Sequence, residues 1–300
     1  MTTFLLDTDI GTDVDDALAL CFMLEKKSKR LLGVITTNGP TKTRAQIAKT
    51  ILGLKGFLRI PVFRGQSTAR TNGITPFVTG NESIGIESQS HAFPLRSILP
   101  LILSEPDGSI VYILIAPAST CSALLEIPMI RKKIKSVVIM GGVIASDPTK
   151  PKQEHNIAAD PASFSRICAF RIPVFLVPLN LTLPHVFPER AIEEISRSGL
   201  PLASKMHLWI KLWRSFTLTF GEKDHWFKNR VLLHDPITCI AAMRKSAFRW
   251  QDMAVTTTQE GELKIGKGGT VRIATAIKRG EIAKLISQVV SSIVTHKNMV

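Results

Sequence analysis

The sequence predicts an α/β fold in which a mostly parallel central sheet is flanked by helices. Short apolar runs rich in β-branched residues alternate with helical patterns between residues 4 and 177. A chain that alternates in this way forms parallel strands joined by crossover helices. The 300 residues contain no repeat, low-complexity linker or break in composition. We therefore expect a single domain over residues 1–300.

The first part of the chain supplies the elements of this sheet in order. Each predicted strand is a short apolar run, and helical patterns lie between the runs. The predicted strands are Phe4–Leu6, Leu32–Thr37, Ile110–Ala116, Ser136–Met140 and Pro173–Val177. The predicted helices are Val14–Glu25, Thr41–Leu54, Ser119–Leu125 and Ala162–Phe170. Right-handed crossovers bring the carboxyl ends of such strands to one edge, where these sheets bind ligands.

The alternation weakens after Pro184. Three further strands are short, and we expect them to include a small hairpin packed on the main sheet. These strands are Asp252–Thr258, Glu262–Ile265 and Thr270–Ile273. The remaining helical patterns are residues 187–198, residues 203–220 and a closing helix over Ala276–Ser292.

The chain is basic, with a formal net charge of +14. Concentrated on one surface, such charge attracts nucleic acid, anionic lipid or phosphorylated substrates. The densest basic runs, residues 26–30 and 131–135, fall where helices are expected to end, and cations there complement the helix dipole. No nucleic-acid-binding motif accompanies them. We expect scattered surface charge, with no nucleic-acid partner and no membrane partner.

The four cysteines lie in or beside apolar segments and form no Cys-x-x-Cys pair. This pattern is typical of small core residues in a reducing compartment. No cationic region precedes the first apolar run, which excludes an ordinary signal peptide. The apolar run Ile110–Ala118 is about half as long as a membrane span requires. These features predict a cytoplasmic protein.

Five carboxylates fall between residues 7 and 16, where the first strand ends and the first helix begins. Helix capping accounts for Asp13 but not for Asp7 and Asp9, which end an otherwise apolar strand. Two like charges ~4 Å apart repel by about 4 kcal/mol at an effective dielectric near 20. A cluster of this kind favours a bound cation. Carboxylate oxygens without interleaved Cys or His indicate Ca²⁺ or Mg²⁺ and argue against zinc.

This run resembles the signature of the inosine–uridine-preferring nucleoside hydrolase family, Asp-x-Asp-x-x-x-Asp-Asp. The chain has Asp7-x-Asp9 and then Asp15-Asp16, with extra residues in the loop. Six further blocks resemble family segments in the same order. They are Thr37–Gly39, Ala116–Thr120, Val138–Gly142, Glu154–Pro161, Val177–Thr182 and Leu233–Pro236. The resemblance implies a Rossmann-like sheet with the nucleoside hydrolase fold, and hydrolysis of the N-glycosidic bond of ribonucleosides to free base and ribose.

The resemblance also implies a calcium-dependent mechanism. The metal ligands would be Asp9, Asp16, Asp235 and the backbone carbonyl of Ser119. Asp9 would in addition be the general base that takes a proton from the metal-activated water. Asp7 would support this cluster from behind. Single displacement by water would invert the configuration at C1′.

Other residues are expected at the substrate by the same resemblance. Met140 would pack against the sugar, and polar side chains would bind the ribose hydroxyls. These polar residues are Asp15, Asn38, Glu154, Asn156 and Asp235. His234 would either protonate the departing base or only orient Asp235. His225 and Trp226 are candidates for the base pocket, whereas core packing is expected for Trp209 and Trp213.

The chain departs from the family pattern at several positions. Ile10 replaces a proline, and Thr79 replaces a histidine in a segment that resembles a family loop. Residues 146–153 lack the family asparagine and contain two lysines, which leaves a 5′-phosphorylated substrate open. The base preference is not readable from the sequence. The resemblance suggests a homodimer or homotetramer.

Two rival functions remain open at this point. Leu6–Asp9 followed by Gly11-Thr12 vaguely resembles the haloacid-dehalogenase phosphatase motif. Ile10 interrupts that motif, and no later Gly-Asp-x-x-x-Asp follows it. Alternatively, the altered loops would leave a protein that binds nucleoside and metal with impaired turnover.

Overall fold

A computed structural model describes residues 1–27, 30–67, 82–83, 86, 92–144, 152–219 and 226–295. The strands in these ranges are β1 (Thr3–Thr8), β2 (Leu31–Thr36), β3 (Val62–Arg64), β4 (Phe93–Pro94), β5 (Ile110–Ile115), β6 (Ile134–Met140), β7 (Val174–Val177), β8 (Phe248–Thr257), β9 (Leu263–Lys267) and β10 (Val271–Ile277). The α-helices are α1 (Asp15–Lys27), α2 (Thr41–Leu54), α3 (Leu99–Ser104), α4 (Ser119–Leu125), α5 (Pro128–Lys133), α6 (His155–Ala159), α7 (Pro161–Ala169), α8 (Leu179–Thr182), α9 (Glu189–Arg197), α10 (Pro201–Thr217), α11 (His234–Met243) and α12 (Glu281–Val294).

The described strands form one sheet in the order β4-β3-β2-β1-β5-β6-β7-β10-β8-β9. The pairs from β4 through to β10 are parallel, whereas β8 is antiparallel to both β10 and β9. At the centre of the sheet, Thr8 lies opposite Thr36 on one side and Ile115 on the other. The carboxyl ends of β1, β2 and β5 therefore reach the same edge. This architecture confirms the predicted fold class.

Both faces of the sheet are buried, so its central strands are mostly apolar on both faces. Phe4 and Leu6 of β1 point to one face of the sheet, which is covered by α1, α2 and α9 to α12. Leu5 points to the opposite face, which is covered by α3, α4, α5 and α7. Burial of a Leu or Ile side chain contributes about 1.5–3 kcal/mol. Two-sided burial is why these strands appear in the sequence as continuous apolar runs.

The C-terminal boundaries differ from the sequence prediction. The predicted strand ends at Ile273 and the predicted helix begins at Ala276, but β10 continues to Ile277, with Ala276 opposite Arg249 of β8. α12 begins at Glu281, after Gly280 with a φ of 83°. Pairing with β8 keeps the segment extended, although its alanines are also good helix formers.

The sequence pattern missed α11. Its residues from His234 to Ala242 are all buried, so the helix lacks the polar stripe that marks an amphipathic helix. The short strands β3 and β4 were missed as well, since three and two residues establish no periodicity. In the part of the chain that the structure describes, helices fall short of the length and apolar character that a bilayer crossing demands.

Candidate active site

A cavity of about 410 Å³ opens at the carboxyl edge of the sheet. This volume is in the range of pockets that enclose a small molecule. Its lining combines carboxylates, amides and aromatic rings. The lining residues are Asp9, Thr12, Asp13, Asp15, Asp16, Ile115, Met140, Gln153, Glu154, His155, Asn156, Leu179, Trp213, Phe227, His234 and Asp235.

Three buried carboxylates converge in this cavity. Asp15 and Asp16 begin α1, Asp235 lies in the first turn of α11, and one oxygen of each is within 4.8 Å of the other two. The backbone N–H of Asp235 donates to Asp15 Oδ2 at 3.3 Å. Burial raises the pKa of all three carboxyls well above the usual value, and repulsion from neighbouring carboxylates, Asp9 among them in each case, raises it further. Hard oxygen donors with this excess of negative charge fit a divalent cation.

Asp9 belongs to the same electrostatic cluster but lies outside the tight group of three. Its charge raises the pKa of Asp16, and Asn38 Nδ2 donates to its Oδ2 at 3.3 Å. His155 Nε2 lies 4.0 Å from the same oxygen. The family resemblance implies Asp9, Asp16 and Asp235 as metal ligands. In the structure, the carboxylate oxygens that lie close together are those of Asp15, Asp16 and Asp235, so Asp15 takes the place expected for Asp9 in this group.

Asp7 lies behind the cavity and is fully buried. Its carboxylate accepts hydrogen bonds from Thr37 Oγ1 at 2.5 Å and from the Tyr112 hydroxyl at 2.7 Å. Burial raises the pKa of Asp7 to about 7, although both hydrogen bonds lower it. Asp7 therefore links β1 to Tyr112 of β5 and to Thr37, which directly follows β2.

Arg44 of α2 forms hydrogen bonds to the loop between β1 and α1. This side chain is fully buried. Its Nε donates to the carbonyl of Asn38 at 2.6 Å, and its Nη1 donates to Ile10 O at 3.0 Å and Thr12 Oγ1 at 3.1 Å. Thr12 and Asp13, which the sequence analysis treats as loop and cap, consequently line the cavity. A lone arginine on the apolar face of α2 is the sequence signal for this contact.

Glu154 and Asn156 enter the cavity from the start of α6. Glu154 Oε1 accepts from Asn156 N at 2.7 Å, and Oε2 accepts from Gly142 N at 2.9 Å and Ile157 N at 3.1 Å. Asn156 Nδ2 donates to Met140 O at 3.4 Å. Burial raises the pKa of Glu154, while these backbone amides lower it. Met140, Glu154 and Asn156 thus lie together, as the sequence analysis expects.

His234 faces the cavity from the first residue of α11. Its Nδ1 lies 2.7 Å from Thr182 Oγ1, and that hydroxyl also donates to Leu179 O at 3.2 Å. With the single hydroxyl proton directed at Leu179 O, we assign the hydrogen of the shared bond to Nδ1, which leaves Nε2 as an acceptor. Nε2 is buried and has no partner among the described residues. Burial lowers the pKa of His234 to about 3, so the ring is neutral at physiological pH.

Two aromatic side chains, Trp213 and Phe227, also line the cavity. Trp213 is only 4% exposed and packs in the core, yet it also lines the cavity, which corrects the expectation of core packing alone. Trp209 is fully buried, as expected. Phe227 lines the cavity beside His234, with ring centroids 6.2 Å apart, whereas Trp226 is not among the lining residues. His225 lies outside the described residues.

Two further expected site residues, Asn38 and Ser119, are not among the described residues that line the cavity. Asn38 has a φ of 72° before Gly39 and reaches Asp9 through its amide, and Ser119 is buried at the start of α4. Thr79 and residues 146–151 lie outside the described residues. Five further lining residues were not predicted at the site, although His155 and Leu179 lie within blocks that resemble family segments. The five are Ile115, Gln153, His155, Leu179 and Phe227.

A mostly parallel α/β sheet with buried carboxylates in a cavity at its carboxyl edge defines an enzyme whose site suits a divalent cation. The family described as inosine-uridine preferring nucleoside hydrolase matches residues 4–289. The chain belongs to this family of enzymes, which act on N-glycosyl compounds.

Known proteins resemble this chain over most of its length. A probable uridine nucleosidase 2 of Arabidopsis thaliana is 24% identical over 286 residues, covering 89% of this chain and 83% of the relative. The solved plant nucleoside hydrolase PpNRh1 has a TM-score of 0.80 at 21% identity, covering 96% and 98% of the two chains. A purine-preferring ribonucleoside hydrolase from Gardnerella vaginalis has a TM-score of 0.80 at 19% identity, covering 98% and 99%. At these identities the structural likeness establishes the fold.

Proposed function

We propose that this chain hydrolyses the N-glycosidic bond of ribonucleosides to free base and ribose, with Ca²⁺ as cofactor and Asp9 as general base. The convergence of Asp15, Asp16 and Asp235 beside Asp9 is the observation that carries this proposal. Such a buried set of repelling oxygens is costly unless a cation or protons neutralise it. The family match supports the reaction class.

The residues proposed to hold the cation are Asp9, Asp16, Asp235 and the backbone carbonyl of Ser119, with Asp15 close enough to share in the charge. An all-oxygen set of this kind suits Ca²⁺, which accepts six to eight oxygens in flexible geometry. When bound, the ion supplies positive charge that makes a neighbouring water lose its proton more easily.

Asp9 is proposed to take that proton. The amide of Asn38 donates to Oδ2 of Asp9 and so orients the carboxylate. A positioned general base of this kind accelerates a reaction by a factor of about 10²–10⁴. Attack by water on one face of the sugar, with the base leaving from the other, inverts the anomeric centre.

Asp15, Asn38, Glu154, Asn156 and Asp235 are proposed to hold the ribose hydroxyls, and Met140 to pack on the sugar. Both Glu154 oxygens already accept from backbone amides, which fixes the carboxylate in place. A carboxylate has about four lone-pair sites, so Glu154 retains acceptor capacity for sugar hydroxyls.

At the leaving base, His234 is the proposed contact, with Trp213 and Phe227 as apolar walls. The neutral ring, with Nε2 as acceptor, favours a hydrogen bond received from the base over proton donation. The relatives include a probable uridine nucleosidase and a purine-preferring hydrolase, so both base classes are substrates to test. Nucleoside 5′-monophosphates are also substrates to test, because most of the segment with the two lysines, residues 146–153, lies outside the described residues.

The decisive experiment is a reducing-sugar assay with Ca²⁺ on purine and pyrimidine nucleosides, ribosylnicotinamide and nucleoside 5′-monophosphates. We expect ribose release from at least one nucleoside and none after chelation. Phosphate release from a generic phosphoester without ribose release would instead favour a phosphatase. Calcium and ribose binding without hydrolysis of any substrate would favour a binding protein.

Asp9→Asn should lower kcat by at least about 10²-fold while circular dichroism stays unchanged, because the base is lost. Asp107→Asn is the matched control, since that carboxylate is 68% exposed and forms an ion pair with Lys133 outside the cavity lining. Normal turnover by Asp9→Asn would rule out the assigned base.

We also propose a single-domain cytoplasmic enzyme that assembles as a homodimer or homotetramer. The assembly is inferred from the family resemblance. The four cysteines are free, as a reducing compartment requires. Light scattering coupled to size-exclusion chromatography checks the assembly.

A further inference from the structure

A second cavity, of about 570 Å³, lies on the sheet face that packs against α1 and α11. It shares no described lining residue with the acidic cavity. Its walls come from β7, β8, β10 and the turn after α11. The lining residues are Phe175, Lys245, Ser246, Phe248, Trp250, Asp252, Arg272 and Lys278.

Two cations are fixed over one aromatic ring in this cavity. Lys245 Nζ lies 3.9 Å from the ring centroid of Phe175 and donates to Ser136 Oγ at 3.1 Å. The guanidinium carbon of Arg272 lies 5.3 Å from the same centroid. Trp250 Nε1 donates to the carbonyl of Lys245 at 2.8 Å, which holds the backbone of the lysine in place. The two cations are therefore positioned by buried and half-buried neighbours.

The charge in this cavity is unbalanced. Lys245, Arg272 and Lys278 contribute three positive charges, and Asp252 is the one carboxylate in the described lining. Asp252 Oδ1 lies 3.3 Å from Arg272 Nε, and both side chains are more than half exposed. Burial, together with repulsion from Lys135 and Arg272, lowers the pKa of Lys245 to about 8. An anion between these cations would relieve that repulsion.

We propose that this cavity binds a small phosphate-type oxyanion, either inorganic phosphate or the phosphate group of a monoester, between Lys245 and Arg272. Arg272 uses Nε for Asp252, which leaves the Nη donors for an anion. Two converging cations match the double negative charge of phosphate better than a single carboxylate. The site is independent of the nucleoside cavity, whose charge has the opposite sign.

Titration calorimetry with inorganic phosphate, at constant ionic strength set with chloride and with stoichiometric Ca²⁺, tests this site. We expect saturable binding that Lys245→Met weakens at least tenfold. Lys211→Met is the matched control, because this lysine is exposed on α10 and its removal subtracts the same charge. We expect less than a twofold change in that variant. Arg272→Met, at a side chain that is 51% exposed, repeats the test should Lys245→Met fold poorly.

Three outcomes would overturn the site. The first is phosphate binding of equal strength in the wild type, Lys245→Met and Arg272→Met, which would locate the anion elsewhere. The second is an equal loss in Lys211→Met, which would indicate general charge attraction. The third is retention on vesicles that contain phosphatidic acid without binding of free phosphate, which would assign these cations to a lipid headgroup.

Discussion

The hydroxyl of Thr182 determines which nitrogen of His234 is available to a ligand. Because Thr182 Oγ1 donates to Leu179 O, we infer that it accepts from His234 Nδ1 and holds the ring in one tautomer. The Nε2 acceptor is then free to contact the base of the proposed substrate, beside Phe227. This is a positioning role, because Thr182 is not among the residues that line the cavity in the described chain.

Thr182→Val should release that constraint with little change in volume. Loss of one hydrogen bond, at about 1–1.5 kcal/mol, predicts a decrease of roughly tenfold in kcat. Thr182→Ser keeps the hydroxyl and should retain wild-type kcat. The ¹⁵N shifts of labelled histidine report the tautomer directly. A wild-type tautomer signal and wild-type kcat in Thr182→Val would disprove the positioning role.

Single residues differ in how far the sequence reveals them. Asp9 stands out because a carboxylate at the end of an apolar strand has few structural uses. Asp15, Asp16 and Asp235 lie in first helical turns, which favour carboxylates in any case, so only the family resemblance singles them out. Phe227 and Trp213 do not stand out, since an aromatic residue near a pocket has the same sequence signature as one in the core. Their contribution depends on how α10 and the following segment pack.

At the level of elements, the β8–β9 hairpin determines where α6 lies. Gly261 in the hairpin turn has a φ of 88°, and a Cβ there would lie 2.5 Å from the Cα of Ala158. The hairpin backbone therefore rests directly on α6, whose first turn carries Glu154 and Asn156. A hairpin remote in sequence thereby helps to position two proposed substrate contacts.

Gly261→Ala should destabilise the protein by about 2–4 kcal/mol, because it combines left-handed backbone strain with a backbone clash. Gly268→Ala is the matched control, since Gly268 also has a positive φ (66°) but open space around it. Strain alone predicts about 1 kcal/mol there. Denaturant unfolding measures both variants. Equal losses would mean that contact with α6 contributes nothing.

Elements with strong periodicity were predictable, and those shaped by tertiary contacts were not. β5 and α2 lie close to their predicted bounds, because an apolar run and a helical stripe are local properties. α11 is buried on all sides, and the end of β10 depends on its pairing with β8. Burial on all sides and pairing with a distant strand both depend on tertiary contacts, which a short stretch of sequence does not reveal.

For the whole molecule, the buried carboxylates couple stability to pH and, through the proposed calcium site, to metal. In the folded state the pKa of Asp7 is raised from 3.8 to about 7. Between these values the folded chain retains a proton that the unfolded chain has lost, so stability falls as pH rises and the loss is complete above pH 7. The raised pKa values of Asp15, Asp16 and Asp235 act in the same direction.

Chelator-treated protein should therefore unfold at a lower temperature at pH 8 than at pH 6. Ca²⁺ at a hundred times its Kd should add about 2.7 kcal/mol at pH 8, or roughly 5 °C in Tm. Asp235→Asn should lose most of the calcium effect, and Asp107→Asn should keep it. A Tm that rises with pH in the chelated wild type would contradict the assignment of these raised pKa values.

The fold class could be predicted for the whole molecule because strand and helix alternation leaves few topologies. The placement of β10 between β7 and β8 could not be predicted, because short C-terminal strands carry no information about their partners. The cavity at the candidate active site could be predicted only in part. The position of its carboxylates could be predicted, because they lie at the predicted edge of the sheet. The position of its aromatic side chains could not, because it depends on how the chain packs after residue 200.

The three hydrogen bonds from Arg44 form when the chain folds, before any ligand arrives. The cavity wall that carries Thr12 therefore has little conformational freedom left to lose. Ordering a mobile side chain on binding costs about 0.5–1.5 kcal/mol. On this side of the cavity that entropy has already been spent in folding. We expect ligand association here to be limited by diffusion and desolvation, without a slow closing step of this wall.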